Sequence, residues 1–252
     1  MENTRRAPKT MNRVKKIISA AACLLMGAVF FSASARSSVQ QEMDALKTKF
    51  SQNADPAKKQ DYEKGIAKLK SSGILQKALN IGGKAPDFTL PNVMGDPVQL
   101  YKMLKKGPVV LVWYRGGWSP YCSVYLDLLQ EALPEFKKTG AELVAISPEM
   151  PNKAFATRDE QGLQFEVVSD IGSEVAKKFG IAYDLPDYLA KRYKEHIDLK
   201  ESNGSQSNTL PLTAVYVINT EGMIAYAFLD ADYRNRPEPA TLISEVKKLF
   251  KK

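Results

Sequence analysis

The segment that most constrains this chain is Val109-Val110-Leu111-Val112-Trp113-Tyr114-Arg115-Gly116-Gly117-Trp118-Ser119-Pro120-Tyr121-Cys122. The apolar run reads as a buried strand, the two glycines as a tight turn, and Cys122 falls where the next helix should begin. That position has chemical meaning. Unpaired backbone N–H groups and the positive end of the helix dipole favour a thiolate there, and the thiolate is the nucleophilic form of cysteine. Arg115 adds positive charge if the turn folds back toward the sulfur. The alternative is a packing role, since free cysteines are commonly buried as small hydrophobes. A strand-to-helix turn, rather than mid-strand, argues against it.

From Ala85 onward, short apolar runs are bounded by Pro and Gly. They predict strands over residues 88–90, 109–114, 143–146, 165–168, 214–218 and 224–228, with helices over 123–138, 153–161, 173–179 and 239–250. Alternation of this kind makes the fold class α/β, a sheet with helices on its faces. Asn219-Thr220-Glu221-Gly222 predicts a hairpin turn between the last two strands. Ahead of this domain, Val39, Met43, Leu46 and Phe50 share one helix face. Asp55-Pro56 then reads as an N-cap with proline in the first helical position, and Tyr62, Ile66 and Leu69 stripe a second helix. Residues 36–80 are therefore expected to be a helical N-terminal extension to a domain at 81–252, packed on that domain or on a second copy, which leaves a homodimer open. Residues 183–208 are less regular, and Ser202-Asn203-Gly204-Ser205 predicts a mobile surface loop.

Residues 1–35 read as an address. Arg5, Arg6, Lys9, Arg13, Lys15 and Lys16 precede an apolar run from Ile17 to Phe31, and Ala33-Ser34-Ala35 fits a small-x-small cleavage site. A cleaved signal peptide and a periplasmic or secreted protein follow as the expectation. The alternative is an uncleaved anchor, although the run is shorter than the ~20 residues that span a bilayer comfortably. Lipidation at Cys23 is discounted, because most of the apolar run follows that cysteine. Residues 1–35 hold six of the 36 basic and one of the 28 acidic residues, so without them the net charge falls from +8 to +3. No dense basic stripe with interleaved aromatics remains, and nucleic acid is not an expected partner. Cys122 is then the lone cysteine and His196 the lone histidine. An intramolecular disulfide is impossible, and a zinc site of Cys and His cannot be assembled within one chain. No metal or cofactor is expected, which leaves thiol chemistry or none.

Three stretches resemble the peroxiredoxin-like branch of the alkyl hydroperoxide reductase and thiol-specific antioxidant family. They are Ala85-Pro86-Asp87-Phe88-Thr89-Leu90, the turn Tyr114-Arg115-Gly116-Gly117-Trp118-Ser119-Pro120-Tyr121-Cys122, and the late Val217-Ile218-Asn219-Thr220-Glu221-Gly222. The resemblance implies a thioredoxin-like fold, with a central mixed β-sheet flanked by helices, over residues 80–250. Peroxiredoxins carry Pro-x-x-x-Thr/Ser-x-x-Cys, which Ser119 and Cys122 match while Arg115 stands in the proline position. Thioredoxin-like oxidoreductases carry Trp-Cys-x-x-Cys, and here Ser119 replaces the first cysteine, so a thiol-disulfide oxidoreductase ranks third among the readings.

The implied activity is reduction of hydrogen peroxide or alkyl hydroperoxides through a sulfenic acid on Cys122, assisted by Ser119 and backbone N–H groups. With no second cysteine, an external thiol must resolve it, either a thioredoxin-like protein or a small thiol. The arginine that the family usually places ahead of the late hairpin falls at Thr213 and is missing. Arg115 is the candidate substitute, with Arg236 a more distant one. The competing reading is a redox-inactive thioredoxin-fold binding or chaperone-like module.

Each of these residues also has a plainer role. Ser119 could serve only as a helix N-cap, Arg115 as a surface or ion-pair residue, and Trp118 and Tyr121 as walls. His196 is expected to be solvated, and Asp230 to Arg236 to be a turn and cap leading into the last helix. Lys247, Lys248, Lys251 and Lys252 suit the dipole-favoured end of that helix.

Overall fold

The computed structural model of the chain describes residues 37–250, so the leader expected over residues 1–35 lies outside it. Ser38 opens α1 (Val39–Asn53) through a capping box with Gln41, and Asp55 caps α2 (Pro56–Lys70) with Pro56 in the first turn. One short turn, α3 (Ile74–Lys77), leads to the antiparallel ribbon of β1 (Thr89–Pro91) and β2 (Pro97–Gln99), which runs directly into α4 (Leu100–Leu104). Next come β3 (Val109–Trp113), α5 (Pro120–Lys138), β4 (Glu142–Ser147), α6 (Pro151–Glu160), β5 (Glu166–Ser169) and α7 (Glu174–Lys178). A pair of short strands, β6 (Ala182–Asp184) and β7 (Thr209–Pro211), encloses α8 (Asp187–Lys194) and α9 (Leu199–Asn203). The hairpin of β8 (Val215–Ile218) and β9 (Ile224–Phe228) precedes α10 (Pro239–Lys248).

The main sheet has the order β5-β4-β3-β8-β9. β3, β4 and β5 run parallel, while β8 is antiparallel to both β3 and β9, so the sheet is mixed as expected. Every residue of β3 is buried because both of its faces are covered, which is why the strand reads as an unbroken apolar run rather than an alternating one. Val110 and Val112 face a core built with Leu126, Leu129 and Phe136 of α5 and Leu242 and Val246 of α10; Val39 and Met43 of α1 close the same layer. Leu111 and Trp113 face the opposite core. There Trp113, Phe179 and Tyr216 form an aromatic trio with ring centroids 4.8 to 5.7 Å apart.

Two features depart from the sequence expectation. Residues 182–211 are an ordered subdomain edge with its own apolar cluster of Leu185, Leu189, Tyr193, Leu199 and Leu210. Ser202 and Asn203, expected in a mobile loop, are buried at the end of α9, and Gly204 alone adopts the left-handed conformation that ends it. Helix α5 also starts three residues earlier than predicted, at Pro120. Proline is accepted at a first helical position because its missing N–H has no partner there in any case. The early start puts Cys122 in the first turn.

A tight seam joins α2 to α8. A Cβ on Gly65 would sit 2.6 Å from Leu189 Cδ2, so the glycine lets this leucine pack directly on the α2 backbone, although it costs about 1 kcal/mol of helix propensity. Asp61 on α2 pairs with Arg192 on α8 at 2.8 Å, and Lys58 with Glu195 at 2.9 Å.

Candidate active site

The turn between β3 and α5 is held by its two glycines. Gly116 has φ +147°, and a Cβ there would lie 2.1 Å from Trp118 Nε1; one on Gly117 would lie 2.0 Å from Thr157 Oγ1. Buried Glu149, just after β4, accepts the Gly117 N–H at 3.1 Å and the Ser202 hydroxyl at 3.5 Å. Burial raises the Glu149 carboxyl above the usual range, against the pull of these hydrogen bonds. So the turn is pinned from below by β4 and from the side by α9.

Cys122 is 1 % exposed. Its Sγ accepts the Arg115 backbone N–H at 3.4 Å and faces Arg236 Nη2 at 3.8 Å. The Arg115 side chain folds back over the turn, donating from Nη2 to Ser119 Oγ at 2.9 Å and from Nη1 to Tyr193 Oη at 2.5 Å. Its guanidinium lies 3.7 Å from the Tyr233 ring centroid and 5.4 Å from that of Trp118, in an aromatic box. Thus Cys122, Ser119 and Arg115, picked from sequence, are brought together. Ser119 does occupy the N-cap position of α5, but its side chain makes no capping bond and turns to Arg115 instead. The surface role considered for Arg115 is ruled out by its burial.

Arg236 is a larger correction. It was expected within a turn leading to the last helix, as only a distant candidate. It is buried beside the sulfur. Its Nη1 donates to Thr213 Oγ1 at 2.7 Å, to the Asn235 carbonyl at 2.9 Å, and to the Tyr233 carbonyl. The guanidinium therefore occupies the corner beside Thr213, the position at which the family arginine is missing. The signal in the sequence was indirect: a threonine at the arginine position requires its cation from elsewhere.

Among the described residues, no carboxylate lies within ion-pair distance of either Arg115 or Arg236; the ion pairs involve other groups. Two buried cations therefore face one thiol. Burial by itself would push the Cys122 thiol up, but the charges of Arg236 and Arg115, with hydrogen bonds from Ser119 and the Arg115 backbone, outweigh it and hold the thiol below its usual range. The same burial lowers Arg236, opposed by the thiolate. Arginine's very high intrinsic pKa keeps it charged regardless. An array of this kind stabilises a nucleophilic thiolate and any negative charge that develops next to it. No cluster of three or more His, Cys, Asp or Glu side chains suited to a metal exists among the described residues.

Fold and site together define a thioredoxin-fold protein built around a single activated thiol, the class to which peroxide-reducing thiol oxidoreductases belong. The AhpC/TSA family model matches residues 81–227, and the chain belongs to that family as a peroxiredoxin-like member. It is 30 % identical to the chloroplastic peroxiredoxin Q of Sedum lineare over 75 % of this chain and 87 % of that one. Against the wheat (Triticum aestivum) peroxiredoxin Q, identity is 30 % over 71 % of this chain and 70 % of the relative. Among solved structures, the peroxidoxin BcpB of Mycobacterium tuberculosis superposes with a TM-score of 0.54 at 20 % identity, covering 68 % of this chain and 98 % of that one. A peroxiredoxin Q of Xanthomonas campestris gives 0.51 at 17 % identity, covering 64 % and 90 %.

Proposed function

We propose that this protein is a thiol-dependent peroxidase that works through Cys122 alone. The observation that carries the reading is a buried thiol that accepts the Arg115 backbone N–H, lies 3.8 Å from the Arg236 guanidinium and is lowered by the charges of both arginines, neither of which has a carboxylate partner among the described residues. The Cys122 thiolate attacks the terminal oxygen of a hydroperoxide, forming an S–O bond as the O–O bond breaks. The departing alkoxide or hydroxide takes a proton from solvent and leaves as alcohol or water, and the sulfur is oxidised to sulfenic acid. Arg236 stabilises the charge as it moves from sulfur to the leaving oxygen, while Arg115 and Ser119 hold the approach to the sulfur. An external thiol then displaces water from the sulfenic acid to give a mixed disulfide, and a second thiol equivalent reduces it. Ser119, where a disulfide exchanger has its first cysteine, supports this route over thiol-disulfide exchange.

The remaining assignments belong to the same proposal: a targeting segment over residues 1–35, a helical extension over 36–80, a catalytic domain over 81–252, and export to the periplasm or beyond. Mass determination of the N-terminus of protein recovered from the exported fraction tests the first and last of these.

The chemistry is tested by stopped-flow reaction of the reduced protein with hydroperoxide, trapping the product with a sulfenic-acid reagent and locating it by mass spectrometry. Rapid oxidation confined to Cys122 and absent in Cys122→Ser is expected. Oxidation no faster than that of a free thiol would instead assign the chain to redox-inactive binding modules.

A further inference from the structure

The cavity in front of Arg115 and Ser119 is far larger than hydrogen peroxide needs. It measures about 490 Å³, whereas two water-sized oxygens fill roughly 60 Å³. Its floor is Arg115 and Ser119. Its outer wall comes from outside the family-matched residues, with Phe50, Ala54, Lys58 and Tyr62 on or between α1 and α2. Phe50 and Tyr62 have ring centroids 5.2 Å apart, and Tyr62 stacks on Tyr193 at 5.6 Å, which in turn meets Trp118 edge-on at 5.4 Å. The wall is thus one continuous aromatic surface. The charged groups at the mouth are paired with each other: Lys58 Nζ lies 2.9 Å from Glu195 Oε2 and 2.5 Å from His196 Nε2, and Asp55 caps α2. An apolar pocket with a balanced rim, closed at its inner end by a cation and a hydroxyl, suits a molecule with an apolar body and one polar end.

We propose that α1 and α2 form a specificity pocket that favours organic hydroperoxides with a compact apolar body over hydrogen peroxide, with Phe50, Ala54 and Tyr62 as the determining residues. This rests on the peroxidase reading of Cys122. The body displaces water from Phe50 and Tyr62, and the peroxide group takes over the 2.9 Å hydrogen bond between Arg115 and Ser119 at the inner end, which opens the way to the buried sulfur behind it. Selectivity comes from apolar surface that hydrogen peroxide lacks.

The test compares second-order rate constants for Cys122 oxidation by cumene hydroperoxide and by hydrogen peroxide in the whole chain, in Ala54→Trp and in Phe50→Ala. Circular dichroism checks that each variant folds. Cumene hydroperoxide is expected to react at least about tenfold faster, since even one methylene in an apolar pocket can be worth that much. The ratio of the two constants should fall about tenfold in Ala54→Trp, which fills the mouth, and severalfold in Phe50→Ala. A ratio near one in the natural chain, or one that neither variant changes, overturns the specificity pocket while leaving the peroxidase intact. A Cys122 that neither peroxide oxidises overturns both.

Discussion

Arg234 and Arg236 sit two residues apart on the same loop, and their environments are opposite. Arg234 is neutralised on every side: it donates to both Asp232 oxygens at 2.8 and 2.7 Å and to both Glu63 oxygens at 2.5 and 3.1 Å. The pairing lowers the Glu63 carboxyl below its usual range and raises the Arg234 guanidinium. Arg236 meets carbonyls, a threonine hydroxyl, the Tyr125 ring at 5.7 Å and the Cys122 sulfur, with no carboxylate among the described residues. A guanidinium whose charge is cancelled by carboxylates is a clamp, here between the last loop and α2. One whose charge is left uncancelled projects a field onto the nearest anion, which is the thiolate. The distinction lies in the partners and not in the residue type.

The largest expected effect breaks the comparison at Arg236. Arg236→Met should lower the rate of peroxide attack by about 10²–10³-fold, the usual cost of removing one charge-stabilising donor, and should raise the thiol pKa. Folding stability should change little, because relieving a buried cation that has no carboxylate partner among the described residues offsets the lost carbonyl, threonine and thiolate contacts. Thiolate absorbance titration, peroxide kinetics and urea unfolding measure the three quantities. A variant that is less stable and equally reactive would make Arg236 a second clamp.

Arg115→Met should be milder, on the order of tenfold in rate, which corresponds to about 1.4 kcal/mol of transition-state stabilisation. Arg115 acts at the mouth, through Ser119 and the aromatic box. The pH dependence separates field from fold. The folded Cys122 titrates below its unfolded value of roughly 8.5, so between the two the unfolded chain binds more protons. The thiolate's contribution to stability is therefore complete above ~8.5 and is lost as pH falls through the folded value. Cys122→Ser lacks this contribution, so the stability gap between natural chain and variant should narrow on acidification toward the folded value, and the peroxide rate should fall only as pH drops through and below that value. A gap that is flat with pH would mean that the thiol is not depressed.

How much of this contrast was legible beforehand depends on the range of the interactions. The sheet strands were read to within a residue or two, because Val109–Trp113 and its neighbours are short apolar runs between glycines and prolines. Arg115, Ser119 and Cys122 were legible because a single turn joins them. Arg236 and Glu149 reach the turn from 114 and 32 residues away along the chain, the first at the sulfur and the second at the Gly117 N–H. Only tertiary packing joins them to it. Nothing in Asp230-Ala231-Asp232-Tyr233-Arg234-Asn235-Arg236 marks which arginine turns inward. Asp232 decides it by capturing Arg234 locally, through the side chain and the Arg234 N–H at 3.1 Å. Helix α8 was missed because its seam with α2 rests on Gly65 and Leu189, a fit that shows only in three dimensions.

Arg234→Met should reverse the Arg236 result. Stability should fall by about 2 kcal/mol, toward the lower end for losing charge-assisted hydrogen bonds at a buried site, since Glu63 is more than half exposed. The peroxide rate should stay within about twofold. If the rate falls with the stability, α2 is being held in place for the sake of the site as well as the fold.

Asp61→Asn gives the smallest effect and sharpens the contrast at its outer edge. Asp61 and Arg192 also clamp α2 to the body, at 2.8 Å, but each side chain is 28 % exposed and Arg192 keeps Glu195 at 3.2 Å as a second partner. A solvated pair loses little when one charge is removed, because water and the remaining carboxylate take over. Any loss of stability should be small at low salt and should vanish in about 1 M salt, where the screening length is ~3 Å. The Arg234→Met loss should persist in the same salt, because the Asp232 contact is shielded from counterions. If both losses vanish together, the clamp is a surface device throughout, and the burial of Arg234 contributes nothing of its own.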